Sequence, residues 1–217
     1  MSEHFDEIKV VIGLTGLKAA GKGEFGLYLV KHGFSTLRVS DAVRVAAKQQ
    51  GISDPTVQQL QDIGDRARKD SGDNGFWAQK VLELAVERGI HHLIVDGIRN
   101  PGEIATLERL MAQRFTLVGI VAPLEIRAQR FLSRQQAGDP KTMSDFLNVD
   151  DRDRGIGQPP DGQQVNACLS QVFAGNLFNN EGTLEEYHKW IEFLYHRLLF
   201  VDAECRYIDP FDNPDLK

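Results

Sequence analysis

Apolar residues along this chain fall into short β-branched runs, separated by segments in which they recur every three or four positions. Lys9-Val-Val-Ile-Gly-Leu-Thr15 has the pattern of a buried strand. Over residues 21–32, Phe25, Tyr28 and Leu29 repeat at helical spacing. Residues 35–39 read as a short second strand, and Ser40 as the cap of a helix from Asp41 to about Gln50, stopped by Gly51. Asp54-Pro55 pairs an N-cap with proline at the first helical position and predicts a helix to about Lys69. Residues 75–88 form a further helix, ended by Gly89. A third strand over residues 92–96 closes on a carboxylate, Asp96. Asn100-Pro101 repeats the cap-plus-proline signal before a helix to about Gln113. A fourth strand follows over residues 115–121, then a helix over residues 123–136.

Residues 138–164 break this rhythm with Pro140, Pro159, Pro160 and the charged run from Asp150 to Arg154. They predict a polar, mobile stretch with one short helical piece near Ser144. Residues 176–180 read as a fifth strand. Thr183 and Glu186 form a capping box for a helix through about Phe200, and residues 205–208 suit a short edge strand. Strand and helix alternating in this way predicts an α/β sandwich with a mainly parallel sheet.

Composition narrows the class. The chain has 217 residues, 41% of them hydrophobic and 26% charged, which suits one domain spanning residues 1–217. Its 25 Lys and Arg against 31 Asp and Glu leave a net charge of -6. That balance argues against nucleic acid or a membrane surface as partner, while a small anion held by a few convergent basic residues remains compatible with it. Cys168 and Cys205 are too few for a disulfide framework. No secretory signal opens the sequence, and no segment approaches the roughly 18 unbroken apolar residues of a membrane span. A cytoplasmic protein, monomer or homodimer, is the expectation.

The candidate chemistry begins at Gly16-Leu17-Lys18-Ala19-Ala20-Gly21-Lys22, placed directly between the first strand and the first helix. Glycines let successive N–H groups turn inward around an anion, the helix N-terminus adds partial positive charge, and Lys22 can reach outer phosphates. Gly23 and Glu24 stand where a magnesium-binding hydroxyl usually follows the lysine. Either carboxylates and water alone hold the metal, or metal-dependent transfer is impaired. Asp96, at the end of the third strand, is placed to hold the metal's water shell, and Arg99 beyond it to clamp a phosphate. Asp41 and Arg44 share one face of a helix start and can orient an acceptor, or pair with each other. Arg127, Arg130 and Arg134 share a second face and continue to Lys141, Arg152 and Arg154, as an arginine-bearing segment closing over phosphates would.

Other features read as structural. His91 and His92 adjoin a strand start, Phe76 and Trp77 anchor a helix, and Trp190, Phe193, Leu194 and Tyr195 have core spacing. Asp150, Asp151 and Asp153 read as a solvated surface.

Taken together, Gly13-Leu-Thr-Gly16 with Gly21-Lys-Gly-Glu24, Ser40-Asp-Ala-Val-Arg44, Asp96-Gly-Ile-Arg99, Asp139-Pro-Lys-Thr142, Asp151-Arg-Asp-Arg154 and Asn180-Glu-Gly-Thr-Leu-Glu-Glu186 resemble a group of P-loop kinase-like proteins known mainly from archaea. That group is related to dephospho-coenzyme A kinase, phage deoxynucleoside monophosphate kinase and adenylate kinase. The resemblance spans about residues 8–196. It implies a three-layer P-loop fold, α/β with a five-stranded, mainly parallel sheet flanked by helices, and a helical lid near residues 133–160. It also implies ATP and Mg²⁺ as cofactors, with Asp41 and Arg44 on the phosphate acceptor, Asp96 and Arg99 on metal and phosphate, and lid arginines on the donor. Residues 158–171 match its pattern least. The expected activity is phosphoryl transfer from ATP to a small nucleotide-like acceptor; the alternative is a regulatory or sensor module that binds nucleotide without transfer.

Overall fold

The structure is a computed structural model that describes residues 3–134 and 142–203. Five strands pair into one wholly parallel sheet in the order β2-β3-β1-β4-β5. In chain order the elements are β1 (Val10–Thr15), α1 (Lys22–Val30), β2 (Ser35–Arg38), α2 (Val39–Gln49), α3 (Val57–Ser71), α4 (Phe76–Glu87), β3 (His92–Ile98) and α5 (Pro101–Met111). They continue with β4 (Phe115–Val121), α6 (Leu124–Arg134), α7 (Met143–Arg154), α8 (Val165–Leu169), β5 (Leu177–Asn179) and α9 (Leu184–Ala203). Residues 1–181 form one compact unit, and residues 182–217 a second that contains α9.

The central strand β1 is buried along Val11, Ile12, Leu14 and Thr15, as a strand covered on both faces must be. Leu93, Ile94 and Val95 of β3 and Val118 and Ile120 of β4 are equally buried beside it. The β1–β3 register slips at the top of the sheet: Leu14 faces Asp96 but Thr15 faces Ile98. Gly97 is thus an extra residue in β3, and this bulge re-aims the end of the strand. Among the described residues no helix is long and apolar enough to cross a membrane.

Local chemistry moved several boundaries. The third helix begins at Val57 because Thr56, not Asp54, is the cap: its hydroxyl accepts from Gln59 N at 3.2 Å, and Gln59 Oε1 accepts from Thr56 N at 2.9 Å. The helix after β2 begins at Val39, ahead of Ser40, with Asp41 Oδ2 accepting from Arg38 N at 2.8 Å. Asn100-Pro101 opens α5 as its sequence predicts, with Asn100 Oδ1 accepting from Gly102 N. Thr183 and Glu186 cap α9 reciprocally.

The largest correction concerns the stretch expected to be mobile. Residues 143–154 form a full helix, α7, capped by the Thr142 hydroxyl. Asp150 and Asp153 are buried, not solvated, because arginines from other segments meet them. Phe193, assigned to a core face, is 62% exposed on α9, while Leu194 and Tyr195 are buried. The expected strand at residues 205–208 lies outside the described residues.

Candidate functional site

The loop between β1 and α1 is built on backbone geometry. Gly16 has φ +142°, and a Cβ there would stand 2.1 Å from the Ile120 carbonyl oxygen of β4, so no other residue fits. Ala19 at φ 60° and Gly21 at φ 119° also adopt left-handed conformations, turning the chain into a concave loop. Lys22 and Gly23 lead α1, where N–H groups have no intrahelical acceptor and the helix dipole favours an anion. Lys22 Nζ reaches back across the loop, donating to the carbonyls of Gly16 at 2.6 Å and Leu17 at 3.1 Å.

The lysine is electrostatically strained. Desolvation lowers its pKa from 10.5 to about 8, partly offset by Asp96 and Asp153 and reinforced by Arg99 and Lys18. The residue as a whole is only half-buried, so the desolvation is local to its ammonium end. Such a cation is short of countercharge, and a polyphosphate would supply it.

Asp96 stands at the β3 bulge. Among the described residues its buried Oδ1 has no hydrogen-bond partner, and its Oδ2 lies 3.6 Å from Nε of Arg38, the residue opposite it in register on β2. Among the described residues no three His, Cys, Asp or Glu side chains cluster as a metal site. One orphaned carboxylate oxygen instead suits a Mg²⁺ that keeps its waters and arrives on phosphate oxygens.

Arg99 follows β3 directly. Its N–H donates to Glu103 Oε2 at 2.8 Å, and its Nη1 donates to Gln163 Oε1 at 3.1 Å and Asp153 Oδ1 at 3.4 Å. Burial raises the pKa of Glu103 above the usual carboxylate value, opposed by the N–H groups of Arg99 and Asn100. Cys168 is buried too, and desolvation pushes its thiol up to about 12, so it is no nucleophile.

The arginines of α6 divide. Arg127 is 1% exposed and wholly engaged: it forms a two-pronged pair with Asp150 of α7, and donates to the carbonyls of Ala122 at 3.0 Å and Lys18 at 3.4 Å. Arg154 also reaches Asp150, at 2.9 Å. Arg127 therefore ties α7 to the loop and is not available to phosphate. Arg130 donates through Nη2 to Asn180 O at 3.2 Å, and its buried Nη1 has no partner among the described residues. Asn180 in turn donates to Ala20 O at 2.8 Å, so Arg130 stands one side chain away from the loop. The side chain of Arg134 and all of Lys141 lie outside the described residues. Phe131 and Phe146, with ring centroids 5.1 Å apart, and Ala19 complete this flank as a small apolar cluster.

Asp41 caps α2 through Arg38 N, and Arg44 is exposed one turn on. A cavity of about 570 Å³ opens between α2, α3 and α4, lined by Gln49, Arg66, Phe76, Trp77, Lys80 and Glu83 among others, but by neither Asp41 nor Arg44 nor any loop residue. Trp77 belongs to the core, its Nε1 donating to Gly64 O.

The sequence reading missed Arg38, Asp153, Gln163 and Asn180. Arg38 was detectable, since it ends a strand beside the strand that ends on Asp96. The other three become neighbours of the site only through tertiary contacts.

Relatives of similar length include three UPF0200 proteins. A UPF0200 protein of Pyrococcus horikoshii is 26% identical over 194 residues, covering 88% of this chain and 98% of its own. One from Saccharolobus solfataricus is 28% identical over 195 residues, 88% and 95% respectively, and one from Methanoregula boonei 29% over 188 residues, 87% and 97%. Among solved structures, a Thermus thermophilus protein superposes with a TM-score of 0.54 at 15% identity, covering 88% of this chain and 98% of its own. A Chloroflexus aurantiacus protein, described provisionally as a kinase, does so at 0.50 and 15%, covering 84% and 96%. No protein-family model matches the chain.

Proposed function

We propose that this chain is an ATP-dependent phosphotransferase acting on a small nucleotide-like acceptor, of the nucleoside monophosphate or dephospho-coenzyme A class. One observation carries the reading: a concave loop that only Gly16 permits, closed by a desolvated Lys22 within electrostatic reach of the orphaned Asp96 carboxylate. Phosphoryl transfer asks little covalent work of a protein and much positioning and charge neutralisation, which such a constellation supplies. The fold shared with a protein described provisionally as a kinase agrees with this.

In this reading the loop amides and Lys22 cradle the donor phosphates, and Asp96 would be the residue that holds a Mg²⁺. Bound Mg²⁺ neutralises charge on the transferring phosphoryl group. Arg44 and Arg99 hold the acceptor, and Asp41 orients it or takes its hydroxyl proton. Arg130, and Arg134 four residues on, stabilise the charge that builds as the γ-phosphorus leaves one oxygen for the other.

Purified chain incubated with γ-labelled ATP should transfer label to one of a panel of nucleosides, nucleoside monophosphates and dephospho-coenzyme A. ATP binding without transfer to any of them would overturn the proposal. That outcome would favour a nucleotide sensor, the second reading, which rests on Gly23-Glu24. A Cβ at Gly23 would meet nothing within 4 Å, so sterics do not explain the missing hydroxyl. A sensor would bind tightly and hydrolyse ATP no faster than the Lys22→Ala variant, and a Gly23→Thr variant that gains transfer would show what the wild type lacks.

A further inference from the structure

Residues 158–164 match no motif, yet they are bound to the start of α5 at several points. Gln164 N donates to Arg99 O at 2.6 Å. Asn100 Nδ2 donates to Pro160 O at 2.9 Å and Gly162 O at 2.8 Å. Within the segment, Gly162 N donates to Pro159 O at 2.8 Å, and Gln164 Nε2 to the same carbonyl at 3.1 Å. Its approach to the end of α7 is close enough that a Cβ on Gly155 would stand 2.5 Å from Gln164 Oε1.

What this segment delivers to Arg99 is one neutral acceptor. Gln163 Oε1 and, from α7, the buried Asp153 carboxylate both take their hydrogen bonds from Nη1. Among the described residues Nε and Nη2 make no hydrogen bond, and the side chain is 41% exposed. The guanidinium is thus gripped on one nitrogen while its other edge stays open. That Nε–Nη2 edge is the fork that matches two oxygens of a phosphate. An arginine side chain is rich in rotamer entropy, and a pre-set one loses less of it on binding.

We infer that Gln163 and Asp153 are positioning residues that present the Nε–Nη2 edge of Arg99 to a phosphate group on the acceptor. Both acceptor classes named above carry such a phosphate, so the inference rests on the kinase reading and adds to it how that phosphate is met. Gln163 suits the role because it holds the cation without adding a second countercharge to the one Asp153 supplies.

The test saturates the loop with Mg-ADP and titrates inorganic phosphate by calorimetry, following the Arg99 Nε–H resonance in parallel. Wild type should bind phosphate with a shift of that resonance. Gln163→Ala should weaken phosphate about tenfold, the worth of one hydrogen bond to a charged group. It should also collapse the Arg99 resonance towards the free-arginine position, with a thermal midpoint within about 2 °C of wild type, since the segment keeps its backbone anchors. Gln163→Glu, which restores an acceptor, should recover the resonance. Asp153→Asn, an independent variant, should also shift it. Unchanged phosphate affinity and resonance in Gln163→Ala would overturn the inference, as would a loss of affinity that merely follows a fall in thermal midpoint. If wild type bound no Mg-ADP, the kinase reading would fall, while phosphate titration of the Arg99 resonance would still decide the positioning role.

Discussion

The two sides of the β1–α1 loop are held by different physics. On the β1–α1 side everything is local: a buried strand, a glycine that must approach Ile120, a helix start and a lysine folded back on carbonyls five and six residues earlier. On the α6–α7 side the loop is held by side chains brought from far away, Arg127 reaching Lys18 O, Asn180 reaching Ala20 O, and Asp150 between Arg127 and Arg154. The first side builds a concave loop around a desolvated charge. The second stabilises it and contributes no open ligand group at Arg127. The lesson is that one arginine face can be wholly engaged at one position, Arg127, and keep a nitrogen uncommitted at the next, Arg130.

The sharpest way to break this contrast is Asp150→Ala. It strands a buried guanidinium, and should lower unfolding stability by about 3–5 kcal/mol in chemical denaturation. A loss below about 1 kcal/mol would mean that the pair is not the clamp described here.

Lys22→Ala should do the opposite. ATP affinity should fall about 100-fold by calorimetry, as hydrogen bonds to charged groups are lost. Stability should hold or rise, because a desolvated cation has been removed. A parallel fall in stability would erase the distinction between the two sides.

The pH dependence sharpens the same point. Lys22 is lowered to about 8 in the folded chain, so below that value it is protonated and ready for phosphate. Above it, ATP affinity should fall by up to about tenfold per pH unit, with proton uptake on binding near pH 8 visible in buffers of different ionisation heat. The sign for stability is reversed: the unfolded lysine keeps its proton longer, so this group's contribution to stability rises with pH between about 8 and 10.5. An ATP affinity that stays flat from pH 7 to pH 9.5 would contradict a desolvated Lys22 at the site.

The smallest effect belongs to Asp41→Ala. Losing its bond to Arg38 N should cost about 1 kcal/mol of stability. If Asp41 also orients the acceptor, transfer should fall by more than that loss of cap accounts for, measured at a temperature where the variant is fully folded.

Particular elements show why the sequence was legible in some places only. Val10–Thr15 and Phe115–Val121 announce themselves because fully buried parallel strands are continuous apolar runs. Asn100-Pro101 was readable because a cap acts over two or three residues. Asp54-Pro55 carried the same signal and gave way to Thr56, whose capping box with Gln59 satisfies two backbone donors instead of one. Residues 143–154 looked mobile because their charges had no visible partners. The partners are Arg127 and Arg99, 23 and 54 positions away from Asp150 and Asp153. Phe193 has the spacing of its buried neighbour Leu194, yet lies open on α9, since one helix pattern fits more than one facing.

The chain itself determined the strand, the glycine turn, Lys22 and the carboxylate that ends β3, because backbone sterics and hydrophobic period act within a few residues. Tertiary structure alone decided which charges meet. It buried Arg127 on Asp150, left Arg130 with an open nitrogen, and set Gln163 against Arg99, since an ion pair or hydrogen bond depends on distance in space, which the order of residues does not contain.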